Sequence, residues 1–165
     1  MSDWSAGYVT DTGYTYGYHE DMNPLKVQYL LRYLGYKVEN FDQCFELGVG
    51  QGISINIHHL TSSADWYGND FNPDQVAFAT QLARITGATI TDQSFKDLLS
   101  GSDLPTFDFI CLHGIWSWIS DENRMNIVKF CQQNLKVGGV LYISYNTCPG
   151  HNPMIPLRNL MISTR

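Results

Sequence analysis

Apolar positions along the chain alternate between short unbroken runs and longer stretches with a 3.6-residue period. Asn23-Pro24 reads as an N-cap followed by a proline at the first helical position. Val27, Leu30, Leu31 and Leu34 follow at i, i+3, i+4 and i+7, the spacing of one helical face, and Gly35 ends that helix. Phe41 to Leu47 is a short apolar run closed by Gly48, a buried strand by its length and flanks. A helix is predicted from about Gln51, with Ile53, Ile57 and Leu60 on one face. Asp65 to Asn69 reads as a second strand. Asn72-Pro73 repeats the cap-plus-proline signal and opens a helix to about Thr86, closed by Gly87. Ala88 to Thr91 and Phe107 to Leu112 read as strands three and four. Ser120, Asp121 and Glu122 open a helix to about Leu135, with acids where the helix dipole favours them. Lys136-Val137-Gly138-Gly139 reads as a turn, and Val140 to Tyr145 as a fifth strand.

Strand and helix in repeated alternation predict an α/β fold, a doubly wound and mostly parallel sheet with helices on both faces. Ligands of such sheets bind beyond the carboxyl ends of the strands, where strand order reverses. The segments to search are therefore Gly48–Gly52, Asp70–Asn72, Asp92–Phe95, His113–Trp118 and Asn146–His151. Residues 1–22 are rich in Tyr and Gly without a clear period and are set apart as an amino-terminal arm. Residues 23–165 form the α/β domain.

Composition narrows the partners. The 165 residues suit one domain, and 44% hydrophobic residues suffice for a core. Ten Lys and Arg against sixteen Asp and Glu leave a net charge of −6, a poor match for nucleic acid or an anionic membrane surface. Cys44, Cys111, Cys131 and Cys148 lie far apart with no C-x-x-C pair, as reduced thiols of a cytoplasmic protein do, and no metal-ligand spacing is present. The amino terminus lacks the basic start and apolar run of a signal peptide. The uncharged stretch around residues 137–157 is broken by three prolines, so no membrane insertion is expected.

Glu46-Leu47-Gly48-Val49-Gly50-Gln51-Gly52 is the strongest motif. Three glycines in five residues, after a strand and opening a helix, let a ligand approach the backbone closely. Asp70 lies eighteen positions after Gly52, at the end of the second strand, where an acid can accept both ribose hydroxyls of an adenosine. Nicotinamide enzymes want a sixth small residue in G-x-G-x-x-G, and Ile53 stands there instead, which disfavours an NAD-dependent oxidoreductase. G-x-G-x-G preceded by Glu46 suits a ligand without a pyrophosphate, such as S-adenosylmethionine.

These residues resemble a class I S-adenosylmethionine-dependent methyltransferase. Tyr14–Tyr18, Glu46–Gly52, Gly68–Pro73, Leu112–Trp118, Glu122–Arg124 and Ser144–Gly150 further resemble, in order, the bacterial methyltransferases with a methyltransferase regulatory domain. That group includes enzymes that methylate lysines of outer-membrane proteins. The resemblance implies that Glu46, Gly48, Gly50 and Gly52 hold the methionine part of the cofactor. Asp70 would bind the ribose and Phe71 pack on the adenine. The loop Asp92-Gln93-Ser94-Phe95 would meet the adenine edge, through either Asp92 or Gln93, because the acid usual before Ser-Phe is absent. The superfamily sheet has seven strands and five are counted here, so the resemblance implies a chain truncated after the fifth strand.

Methyl transfer needs positioning above all, and a base where the acceptor is protonated. His113, after the fourth strand, is the candidate base or a hydrogen-bonding group that touches no proton. Trp116 and Trp118 line an acceptor channel or belong to the core; Tyr145 and Asn146 orient an acceptor nitrogen or form a turn. Tyr14, Tyr16 and Tyr18 alternate, as a lid over the site or an arm on the sheet edge. His58 and His59 are expected to be structural, and Arg124 to pair locally. The reading is methyl transfer to an acceptor in a protein substrate, a lysine by resemblance alone. The alternatives are a catalytically incomplete cofactor-binding or regulatory module and, more weakly, the oxidoreductase. An incomplete sheet also leaves an edge that a homodimer would cover.

Overall fold

The computed structural model describes residues 16–100 and 103–163. The elements are α1 (Pro24–Tyr33), β1 (Gln43–Leu47), α2 (Ile53–Thr61), β2 (Asp65–Asp70), α3 (Pro73–Thr86), β3 (Thr89–Asp92), β4 (Phe107–Leu112), α4 (Asp121–Asn134), β5 (Leu135–Ile143) and α5 (Ile155–Ser163). The strands form one sheet in the order β3-β2-β1-β4-β5, every neighbouring pair parallel. This is the doubly wound, Rossmann-like architecture. Strand order reverses between β1 and β4, so the loops after these two strands flank the switch point.

The punctuation works as its chemistry requires. Asn23 accepts from the N–H groups of Leu25 and Lys26 at 3.0 and 3.2 Å, and Asn72 from that of Asp74 at 3.1 Å. Ser120 accepts from Asn123 N–H at 3.2 Å. Gly87 closes α3 at φ 100°, where a side chain would be strained. Alternation then sorts the strands onto two cores. Cys44, Trp66, Phe109 and Cys111 pack with Ile55, Ala79 and Ala83 from α2 and α3. Phe45, Leu47, Ile110 and Leu112 pack with Ile127 and Phe130 of α4.

Three expectations are corrected. The Val27, Leu30, Leu31, Leu34 face of α1 is buried only in part: Val27 packs against the core and Leu31 is half-buried, whereas Leu30 and Leu34 are 47% and 67% exposed. Pro24 and Gln28 are buried instead, Gln28 donating to Glu39 O at 3.1 Å and Arg32 to Val38 O at 3.1 Å. These bonds to the following loop outweigh the leucine stripe in orienting the helix. Phe41 lies outside the β1 ladder but is buried, stacked on Phe109 with ring centroids 5.1 Å apart. The predicted turn at Lys136–Gly139 and the fifth strand are one element. Leu135 pairs with Phe107 and Val140 with Phe109, so residues 136–139 bulge opposite the single Asp108. Asp108 ties that bulge to the sheet, accepting from Lys136 Nζ at 2.7 Å and from Asp42 and Gln43 N–H at 3.0 and 2.9 Å.

The described part of the arm packs on the domain. Met22 is fully buried, Tyr16 meets Phe78 edge-on at 5.4 Å, and Tyr18 lies 5.3 Å from the His58 ring. His58 is buried between Tyr18 and Trp66 as a structural ring, held neutral by burial with its pKa lowered to about 4.

Gly68 is where β2 must lack a side chain. A Cβ there would stand 2.5 Å from Val49 Cγ1 and 2.9 Å from Glu46 O, both behind the glycine loop. Gly68→Ala is expected to cost about 1–3 kcal/mol in urea unfolding. Gly35→Ala, strained at φ 87° but with nothing within 4 Å, is expected to cost less. A smaller loss at Gly68 than at Gly35 would contradict this packing.

Candidate active site

Three backbone segments meet at the carboxyl end of the sheet. Gly48, Gly50 and Gly52 all have positive φ, at 69°, 53° and 69°. Each serves a different neighbour. A Cβ on Gly48 would fall 2.2 Å from Ile115 Cδ1, and one on Gly52 would fall 2.5 Å from Ala79 Cβ. Gly52 thus lets α2 approach α3, the packing role that a sixth-position glycine fills in dinucleotide folds. The Gly50 N–H donates to Asp70 Oδ2 at 2.8 Å, and Asn72 N–H to Asp70 Oδ1 at 3.0 Å. The glycine bend and the β2 acid are therefore one unit. Asp70 is 6% exposed; burial pushes its carboxyl up, opposed by the backbone donors from Asn72, Gly50 and Phe71. Phe71 follows, half-buried.

Glu46 occupies the last turn of β1 on the same side. It is 4% exposed, and its Oε2 has no hydrogen-bond partner among the described residues. Burial, with the Asp70 charge beside it, pushes its pKa up to about 8.

The β3 tip continues the line. Asp92 stands in register with Asp70, and Gln93 N–H donates to Asp70 O at 3.0 Å. Gln93 Oε1 takes the Thr91 hydroxyl at 3.0 Å, while the exposed Asp92 carboxylate makes no hydrogen bond among the described residues. Ser94 is committed locally. Its hydroxyl donates to Asp97 Oδ2 at 2.6 Å and accepts from Asp97 N–H at 3.2 Å. Phe95 is buried, its Cζ 3.9 Å from the position of a Gly48 Cβ.

Beyond β4, His113 stacks on His19, ring centroids 3.9 Å apart at 24°, and its Nδ1 is buried without a partner among the described residues. Burial, then the neighbouring His19, holds the His113 pKa below its ordinary value. Ile115 reaches back to Gly48. The next residues line a cavity of about 410 Å³ with walls of Trp116, Ser117, Trp118, Arg124, Tyr145, Asn146, His151 and Ile155. Trp118 is 55% exposed, so it belongs to this cavity and not to the core. Tyr145 and Asn146 share the cavity, Asn146 N–H donating to Ser117 Oγ at 2.8 Å.

The site residues thus fall into two groups bridged by Ile115. Tyr16 joins neither, lying against α3, and Tyr14 lies outside the described residues. Sequence reasoning placed Ile115, Ser117 and His151 in the segments to search without a role, and missed His19, which no motif marks. Gly68 was visible beside Asp70 but carried no packing signal.

The raised Glu46 carboxyl has a consequence for stability. Folded protein keeps a proton here that unfolded chain releases above about pH 4.5, so stability falls as pH rises from about 4.5 to about 8. Glu46→Gln is expected to remove up to about 1.4 kcal/mol per pH unit from that slope. Urea unfolding of both proteins between about pH 5.5 and 7.5 checks it, and parallel slopes would contradict a protonated Glu46.

Residues 45–143 match the family model described as "Methyltransferase domain". The uncharacterized protein sll1526 of Synechocystis sp. is 42% identical over 96% of this chain, and the uncharacterized protein RP789 of Rickettsia prowazekii 33% identical over 76%. The chain spans 33% and 23% of the lengths of these two relatives. Among solved structures, PKMT2 from Rickettsia typhi in complex with AdoHcy superposes with TM-score 0.79 at 22% identity, covering 91% of this chain and 30% of that one. The plantazolicin methyltransferase BpumL in complex with SAH gives 0.57 at 18% identity, over 74% of this chain and 44% of that one. These structural likenesses establish the fold. With more than half its length matched to the family model, the chain belongs to the methyltransferase domain family.

Proposed function

We propose that the chain binds S-adenosylmethionine across the tips of β1, β2 and β3 and passes its methyl group to an acceptor at the tips of β4 and β5. The acceptor is the side-chain amine of a lysine in a protein substrate. The observation that carries the reading is the 2.8 Å bond from Gly50 N–H to Asp70 Oδ2, which brings the glycine bend and the acid to one place. The residues fit the cofactor. A carboxylate accepts about four hydrogen bonds, so beyond the backbone donors Asn72, Gly50 and Phe71 the Asp70 carboxylate retains capacity for about one ribose hydroxyl. The partnerless Glu46 Oε2 is buried where a positive ammonium would let it ionise. Asp92 is the freer of the two candidates for the adenine edge, since Thr91 already holds the Gln93 oxygen. Phe71 supplies an apolar face next to Asp70.

When bound, the cofactor supplies a methyl group on a positive sulfonium, open to displacement by an acceptor lone pair. The chain's own task is to position that lone pair and keep it free. His113 is neutral at pH 7, and its partnerless Nδ1 can take a hydrogen bond or the proton of an acceptor amine. Trp116 and Trp118 wall the approach, and Tyr145 and Asn146 offer polar groups beside it. The lysine acceptor rests on the resemblance of His113–Trp118 and Ser144–Gly150 to the bacterial methyltransferases with a methyltransferase regulatory domain, a group that includes lysine methyltransferases.

Calorimetric titration with S-adenosylhomocysteine tests the seat. Asp70→Asn is expected to weaken binding by about 2 kcal/mol or more, since it loses the charged acceptor for a ribose hydroxyl and for the Gly50 N–H. Unchanged affinity would remove the ribose assignment. His113→Gln is expected to leave that affinity within about threefold while lowering methyl transfer to lysine peptides by about 10²-fold. An equal loss of both would make His113 a cofactor contact only.

A further inference from the structure

The cavity past the β4 and β5 tips has a chemical bias that the methyltransferase reading alone does not require. The chain carries sixteen acidic residues against ten basic ones, yet among the described residues no carboxylate lines this cavity. Its polar groups are Arg124, His151, Ser117, Tyr145 and Asn146, each able to donate a hydrogen bond. Ser117 Oγ already accepts from Asn146 N–H at 2.8 Å, which leaves its hydroxyl hydrogen to give.

Arg124 is held in place by its own bonds. Nε donates to Trp116 O at 3.0 Å, Nη1 pairs with Asp121 at 2.6 Å, and the guanidinium sits 6.0 Å from the Trp116 ring centroid. Its side chain is 34% exposed, whereas that of Asp121 is 94% exposed. Asp121, the more exposed partner, offsets part of the guanidinium charge from the solvent side and engages only Nη1. The Nη2 edge remains for a ligand. A guanidinium fixed over an aromatic wall, with neutral donors around it, is a receptor for a carboxylate.

We propose that this cavity is an acceptor subsite that reads a carboxylate carried beside the methylated amine, as by Asp or Glu adjoining the target lysine. The inference rests on the methyltransferase reading for the identity of the acceptor. Ile115 connects the two regions, since its side chain touches Gly48 and the next residue opens the cavity. The positive wall would also disfavour an ammonium nearby and so favour the neutral, nucleophilic amine.

Trp116 and Trp118 provide the readout, as occupancy of the cavity changes their fluorescence. The full chain is titrated with two peptides that differ only in the neighbours of a central lysine, Glu on both sides or Gln on both sides. The Glu peptide is expected to bind about tenfold more tightly. The margin should shrink at high salt. Arg124→Gln should abolish it and Arg124→Lys keep part of it, with thermal midpoints showing that both variants fold. Equal affinities, no binding of either peptide, or a preference that survives in Arg124→Gln would each overturn the subsite; should Arg124→Gln fail to fold, the wild-type peptide comparison and Arg124→Lys decide. S-adenosylhomocysteine binding on the same samples separates the two ideas. Cofactor binding without a peptide preference sinks only the subsite, and a peptide preference without cofactor binding sinks the methyltransferase reading and with it the acceptor role, leaving a carboxylate-binding cavity.

Discussion

A carboxylate buried at the tip of β2 and bonded to the backbone of the loop after β1 organises the functional end of this molecule. Asp70 is withdrawn from water and satisfied by N–H groups of Gly50 and Asn72. A second acid, Glu46, is buried beside it with one oxygen unpartnered. Two desolvated acids so close cannot both ionise cheaply, and one keeps its proton. Such an arrangement costs stability and is relieved by a ligand that brings a hydroxyl to one acid and positive charge to the other. S-adenosylmethionine has both. The three positive-φ glycines follow from the same geometry: the bend must turn tightly enough to offer Gly50 N–H to Asp70 while clearing Ile115 on one side and Ala79 on the other.

The opposite side of the switch point has a different character. There the walls are aromatic and the polar groups are donors, with Arg124 as the fixed charge. Acidic groups at the β1 and β2 tips and donors past β4 and β5 make an electrostatic division across one crevice. A cationic cofactor and an acceptor that must arrive as a neutral nucleophile want that division. The segment 113–118 joins the halves, with Ile115 towards the glycine loop and Trp116 to Trp118 towards the cavity.

Most of the fold was legible because its signals are local. The Asn-Pro caps at residues 23 and 72, Gly87, and the period-2 and period-3.6 runs act within a few residues, and the elements they mark are present. What was not legible is relational. The leucines of α1 obey helical spacing, but Gln28 and Arg32 bind backbone carbonyls of the next loop and turn part of that face outward. The glycines after β5's start signalled a turn, and only pairing with β4 shows that the turn is a bulge inside a strand. In the site, Gly48, Gly50, Gly52 and Asp70 carry a recognisable spacing. Ser94 looked like part of the adenine loop and is spent on Asp97. His19 lies far from the glycine loop and the β4 segment in sequence and reaches the site only through packing.

The most direct test is amide NMR of the 165-residue chain during titration with S-adenosylhomocysteine. Saturable shifts are expected at Gly48, Gly50, Gly52, Phe71 and Asn72, with weaker ones at Gln93 and His113, and none along the outward face of α1. No saturable change at the three glycines, or changes centred away from the β1 and β2 tips, would contradict the cofactor seat.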